Sequence, residues 1–244
     1  MPSANIVLSL VIPAYNEALR LPPYLAQVRP CLEGRYADRY EVIVVDDASR
    51  DGLAEVVARL AAGWPQLRCI RHPENRGKGA AVRTGMLSAQ GELLLFADAD
   101  GATPIEEEGR LAAAIHAGAD LAVGSRLVYD ADRRRSRPWL RSVAGRLFAA
   151  VARRALRLPV RDTQCGFKMF RGAVGQQLFS LVQEPRYLFD LEVLALAKRL
   201  GYRVAEVPIN WSEVPGGRFS LIREFPKVLV GLLRLRRRMK KDEG

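Results

Sequence analysis

The stretch Gly91-Glu92-Leu93-Leu94-Leu95-Phe96-Ala97-Asp98-Ala99-Asp100-Gly101 ends a short apolar run in two carboxylates one residue apart. An uninterrupted run opened by Gly91-Glu92 predicts a buried strand over 93–96 that leaves its sheet just after Phe96. In open α/β sheets, ligands gather where strands end and the chain turns outward. Two carboxylates held there repel each other and lose hydration unless a cation lies between them. Oxygen ligands suit Mg²⁺ or Mn²⁺, and such an ion keeps coordination positions for substrate phosphates. Asp98 and Asp100 are therefore candidate metal ligands. The same residues also suit a capping loop, since Asp and Thr103-Pro104 favour a helix start, and spacing alone leaves both readings open.

Further strand-like runs at 8–12, 41–45, 67–70 and 121–123 flank this one. Helical patterns fall between them at 18–28, 53–62, 79–89 and 105–117. That alternation predicts an α/β fold with a mostly parallel sheet covered on both faces. After Gly124 it gives way to helical, Arg-rich sequence, so the expectation is one domain over 1–219 with an embellished second half. Residues 127–161 would form a basic loop and interface helix, and 220–244 a basic amphipathic tail. A length of 244 residues with 49% hydrophobic and 27% charged residues excludes a disordered chain. Three widely spaced cysteines predict no disulfide frame. The N-terminus reads as lacking a signal peptide, and no apolar run is long enough for a bilayer span.

Each predicted strand ends in polar chemistry. The first runs into Pro13-Ala14-Tyr15-Asn16-Glu17, where Pro13 is expected to end the ladder and Asn16 to cap the next helix. The second ends in Asp46-Asp47-Ala48-Ser49, acids that can accept from a base N–H or a ribose hydroxyl, or simply cap. The third leads to Asn75-Arg76-Gly77-Lys78-Gly79, free N–H groups and a lysine at a helix start, which suits an anion but lacks the Walker spacing. The fifth delivers Gly124-Ser125-Arg126, whose guanidinium offers a planar fork to phosphate. His72 and His116 show no catalytic pattern and are expected at surface or loop positions. Together these turns describe a nucleotide-diphosphate site.

The order of motifs resembles family 2 glycosyltransferases of the GT-A fold, in the branch that makes polyprenyl-phosphate sugars, and most of all dolichyl-phosphate β-glucosyltransferases. Val11-Ile12-Pro13-Ala14-Tyr15-Asn16-Glu17, Val45-Asp46-Asp47-Ala48-Ser49, Asn75-Arg76-Gly77-Lys78-Gly79 and Phe96-Ala97-Asp98-Ala99-Asp100-Gly101 carry the first half of it. Gly124-Ser125-Arg126, Asp162-Thr163-Gln164-Cys165-Gly166-Phe167-Lys168, Phe189-Asp190-Leu191-Glu192 and Glu206-Val207-Pro208-Ile209-Asn210-Trp211 carry the second. The resemblance implies that Asp46 or Asp47 contacts the base, and that Pro13, Ala14, Tyr15, Glu17, Asn75, Gly77, Lys78 and Ala99 line the nucleotide-sugar site. It implies a divalent ion on Asp98 and Asp100 and phosphate contacts from Arg126 and Arg218. Asp190 and Glu192 are candidate catalytic residues that could orient sugar hydroxyls or nearby arginines, and a strand- or helix-end ion pair fits them equally well. Acceptor phosphate or lipid would meet Arg126, Arg133, Arg134, Arg135, Arg141, Gln164 and Lys168. Ala102 stands where mannose-transferring relatives often carry a metal-binding Gln, which fits the glucose branch better.

A lipid phosphate is already an anionic nucleophile, so transfer needs alignment and neutralisation of the leaving diphosphate more than a strong base. Inversion at the sugar is what the resemblance implies. The net charge of +11 is local: ten arginines and no acid lie between Arg133 and Arg161, and eight basic against three acidic residues lie in 220–244. Both segments place apolar residues on one helical face and basic residues on the other, a pattern for an anionic membrane surface on the cytoplasmic side. An apolar stripe packed on the protein, or a tail paired with a second subunit, fits the same pattern. Nucleic acid is not expected, because few aromatics interleave the arginines and no base-stacking platform is evident. The remaining alternatives are a GDP-mannose enzyme, a non-lipid acceptor and a non-catalytic lipid-binding module.

Overall fold

The computed structural model describes residues 5–128, 152–212, 214, 231–232 and 234–238, and the backbone of 135–136. The first half alternates as expected. It runs through β1 (Leu8–Ala14), α1 (Leu21–Tyr36), β2 (Tyr40–Asp46), α2 (Leu53–Ala61), β3 (Leu67–Arg71), α3 (Lys78–Ser88), β4 (Leu93–Ala97), α4 (Glu108–His116) and β5 (Leu121–Ser125). A two-residue strand β6 (Arg135–Ser136) follows, then β7 (Phe167–Arg171), α5 (Gly172–Leu181), α6 (Phe189–Arg199), β8 (Val204–Pro208) and β9 (Trp211–Ser212).

The central sheet has seven strands in the order β3-β2-β1-β4-β7-β5-β8. β7 runs antiparallel to both β4 and β5, and the other pairings are parallel. The sheet therefore continues where the sequence suggested only helices. β7 and β8 escaped notice because Lys168 interrupts the apolar run Phe167-Met169-Phe170, and β8 carries Glu206 and ends in Pro208.

Successive strand residues serve opposite faces, as the two-residue period requires. Leu8, Leu10, Ile12, Val42, Val44 and Leu95 join α1, α2 and α4 in one core. Val11, Ile43, Val45, Leu94 and Phe96 join α3, α5 and α6 in the other. All seven residues of β1 and of β2 are buried, which fits their largely apolar character, and the buried Ser9 Oγ donates to Glu41 Oε1 at 2.7 Å.

Two local expectations change. β1 runs through Pro13, which pairs with Val45, to Ala14. β4 contacts β1 only as far as Val11, so the edge beyond it needs no donor from Pro13. Asn16 does not cap α1: it sits at φ 55°, and its Oδ1 accepts the Arg50 N–H at 2.8 Å. The helix instead starts at Leu21, with prolines in its first turn.

Candidate active site

β1 pairs with both β2 and β4, so the chain after these strands turns away from a common sheet edge, the switch point of an open sheet. A cavity of about 380 Å³ opens there. Pro13, Ala14, Tyr15, Glu17, Asp47, Asn75, Gly77, Lys78, Asp98, Ala99 and Asp100 all line it, together with Arg20, Ala81, Arg186 and Tyr187.

The two acids after β2 take different parts. Asp46 is fully buried; its Oδ1 accepts the Ser49 N–H at 2.8 Å, and Arg71 lies 3.4 Å from its Oδ2. Asp47 reaches the cavity and accepts the N–H groups of Arg76 and Gly77 at 2.9 and 2.7 Å. It thereby pins the loop that opens α3. His72 is buried, not at the surface: its Nδ1 stands 2.7 Å from Asp47 and its Nε2 2.9 Å from Thr84 Oγ1. That bridge ties the end of β3 to the acid and to α3. Sequence spacing gave no sign of it, because both partners are distant in the chain.

Asp98 and Asp100 follow β4. The Asp98 N–H donates to Gly166 O at 3.0 Å, and a Cβ on Gly166 would lie 2.0 Å from the Asp98 carboxylate. The glycine is required by that approach. Lys78 pairs with Asp98 at 2.5 Å. Burial pulls the Lys78 ammonium down, but Asp98 and Asp190 outweigh it, and its pKa is raised. Asp100 Oδ1 accepts the Ala102 N–H at 3.1 Å. Burial first, and the neighbouring Asp98 second, push the Asp100 carboxyl above the usual range. A carboxylate pair under that strain is relieved by a bound cation.

Beyond the pair lies a second, smaller cavity of about 80 Å³, lined by Asp98, Asp100, Thr103, Arg126, Gly166 and Trp211 among others. Arg126 faces this space and does not line the larger one. Its Nε and Nη2 donate to the two oxygens of Asp162 at 2.8 and 2.9 Å, and its guanidinium lies 5.5 Å from the Trp211 ring centre. Burial opposes the charge of Asp162, yet Arg126 holds that carboxyl below the ordinary range.

The family model for glycosyl transferase family 2 matches residues 9–179. The chain belongs to this family. A dolichyl-phosphate β-glucosyltransferase of Drosophila melanogaster is 38% identical over 230 residues, covering 89% of this chain and 71% of the relative. One from Dictyostelium discoideum is 34% identical over 246 residues, covering 96% and 75%. Among solved structures, glucosyl-3-phosphoglycerate synthase from Mycobacterium tuberculosis with Mn²⁺ and UDP-glucose superposes with a TM-score of 0.70 at 20% identity, covering 95% and 79%. The glycosyltransferase thus has the GT-A fold that its motifs implied.

A divalent ion fits the residues present in this glycosyltransferase. Two adjacent carboxylates face the cavities, and no third His, Cys, Asp or Glu joins them among the described residues. Ala102 adds no side-chain ligand. An ion held by two carboxylates would take its other ligands from phosphate and water.

Several residues expected near substrate have other partners. Lys168, read as an acceptor-phosphate residue, is buried in β7; its Nζ donates to Cys165 O at 2.6 Å and pairs with Asp190. Burial raises the Asp190 carboxyl, while Lys168 and Lys78 oppose the shift. Asp190 lines neither of these two cavities. Glu192 is turned away toward the backbone of Gln183 and Glu184 and the side chain of Arg238. Gln164 is half-buried in the turn before Cys165. Arg133, Arg134, Arg141, Arg218 and the side chain of Arg135 lie outside the described residues.

The sequence reading missed Arg20, Arg186 and Tyr187. Only Arg20 had a signal, the spacing of three from Glu17, which grips its guanidinium through both Nε and Nη2. In the tail, Leu232 and Leu235 are buried in the core, so this part of the apolar stripe packs on the protein. No helix among the described residues is long and apolar enough to cross a membrane.

Proposed function

We propose that this glycosyltransferase moves glucose from UDP-glucose onto a polyprenyl phosphate with inversion, at the cytoplasmic surface of a membrane. The carboxylate pair between two cavities of different character carries the reading. The larger cavity has room and chemistry for a nucleoside diphosphate: Asp47 and Asn75 for the base, Lys78 and Arg20 for negative charge. Asp98 and Asp100 would hold Mg²⁺ or Mn²⁺, which when bound supplies charge for the leaving diphosphate. Arg126, oriented by Asp162 and stacked on Trp211, is suited to present the acceptor phosphate to the opposite face of the sugar. The phosphate oxygen then attacks the anomeric carbon as the bond to the nucleotide breaks, and no side chain need take a proton. Relatives named as dolichyl-phosphate β-glucosyltransferases support the donor and acceptor. The basic segments support contact with anionic lipid.

A donor screen with purified protein and a polyprenyl phosphate tests this. EDTA-sensitive release of UDP from UDP-glucose, dependent on the lipid, is expected. GDP release from GDP-mannose alone would replace glucose by mannose, and transfer to soluble acceptors alone would remove the lipid.

A further inference from the structure

Glu192 lies in the first turn of α6, is 1% exposed and is absent from the lining of both cavities. Its Oε2 accepts the N–H groups of Gln183 and Glu184 at 2.9 and 2.7 Å, and its Oε1 lies 3.1 Å from Arg238 Nη1. Arg238 also donates to Gln183 Oε1 at 2.7 Å and approaches Glu184 Oε1 at 3.4 Å. The C-terminal helical segment bearing Arg238 is anchored by Leu232 and Leu235, buried in the same core cluster as Leu188 and Phe189. Gly231 meets that core so closely that a Cβ would lie 2.3 Å from Leu188.

Segment 183–187 joins α5 to α6, and its other side closes on the start of α3. The Ala80 N–H donates to Pro185 O at 3.0 Å. A Cβ on Gly77 would lie 2.5 Å from Pro185 O, and one on Gly79 2.4 Å from Glu184 O. Neither glycine can carry a side chain while the segment stays in place. Lys78 stands between them, and Lys78, Arg186 and Tyr187 all line the larger cavity. A short line of contacts therefore runs from Arg238 through Glu192 and 183–185 to the wall where a diphosphate would lie. Burial and the adjacent Glu192 push the Glu184 carboxyl upward, and Arg238 and Arg234 act against this. Without Arg238, Glu192 would be a buried charge beside a second acid, a strongly unfavourable arrangement.

We propose that Arg238 is a positioning residue for donor binding: the C-terminal segment braces the far wall of the donor cavity through Glu192 and residues 183–187. The inference rests on the nucleotide-sugar reading above. It predicts that a residue outside the cavity sets donor affinity without touching donor or acceptor.

The test compares Arg238→Ala and Arg238→Lys with wild type, all as the full chain. Nucleotide affinity is measured by calorimetry with UDP and with GDP in Mn²⁺, Michaelis constants with both substrates, and amide exchange on the ligand-free protein. Arg238→Ala is expected to weaken nucleotide binding and raise the donor KM by about tenfold, within the range of coupling through packed networks. The polyprenyl-phosphate KM is expected to stay within about twofold, exchange at Ala80, Gln183 and Glu184 to accelerate, and Arg238→Lys to recover part of each effect. Unchanged exchange at Gln183 and Glu184 would overturn the brace. Faster exchange with unchanged nucleotide affinity, or a change confined to the acceptor KM, would overturn its role in donor binding. A wild-type chain that binds neither nucleotide would overturn the donor reading instead, and the exchange arm, which needs no ligand, separates that failure from failure of the brace.

Discussion

The acids on the cavity side of β4 and the buried acids of the second half of the chain are satisfied to different degrees. Asp162, Asp190 and Glu192 are buried, and each meets a basic partner, Arg126, Lys168 and Arg238 respectively. Asp98 and Asp100 stand beside one another, with Lys78 on Asp98 and only a backbone N–H on the Asp100 oxygen that faces Ala102. Burial and that repulsion lift the Asp100 carboxyl. The contrast separates two uses of a carboxylate. Saturated acids hold other side chains in place, whereas in the proposed site the Asp98–Asp100 pair would keep bonding capacity for a cation.

The most severe way to break this contrast is Asp100→Asn. Transfer is expected to fall by about 10³-fold, as when one electrostatic stabiliser is removed, with the thermal midpoint nearly unchanged. Activity within tenfold of wild type would place Asp100 with the structural acids.

Asp190→Ala attacks the other side. It leaves the Lys168 ammonium buried without its carboxylate, and a loss of roughly 3–5 kcal/mol in denaturant unfolding is expected. Replacing both partners with Lys168→Met and Asp190→Leu is expected to recover most of that loss. A double variant no better than the single one would show that the pair does more than satisfy itself.

Asp162→Asn sharpens the comparison through pH. The folded carboxyl titrates below its unfolded value, so its contribution is present above the unfolded pKa and is lost as pH falls through the folded one. The variant should be about 2 kcal/mol less stable at neutral pH, from losing charged hydrogen bonds to Arg126, and should converge with wild type in strong acid. A constant difference across the range would assign the effect to packing.

The smallest effect is expected at Trp211. Trp211→Leu removes the ring under Arg126, worth about 0.5–2 kcal/mol, and should raise the acceptor KM several-fold while Trp211→Phe stays near wild type. Equal loss in both would detach the ring from the role of Arg126.

The strand ends of the first half were legible because β1, β2 and β4 are mostly apolar runs that stop at polar turns. A local window contains the whole signal. β7 was not legible, since a lysine in a core strand makes sense only beside Asp190, which lies 22 residues further along. The same reason hid His72, whose burial depends on Asp47 and Thr84, and the cavity positions of Arg186 and Tyr187. Charge patterns also carried less than they suggested. The apolar stripe of the tail was visible, but that Leu232 and Leu235 pack on the protein depends on Leu188 and the core around it.

The reversed strand β7 also has a consequence for how the molecule is made. Synthesis releases β1, β2, β3 and β4 long before Phe167–Arg171 emerges, so the edge of the wholly apolar β4 that β7 later covers waits unpaired. Open edges of that kind recruit other chains. A nascent fragment that stops short of Gly166 should therefore be sticky and need chaperone protection, and it would lack the residue against which Asp98 is seated. The seat of Asp98 is therefore complete only once Gly166 has been made.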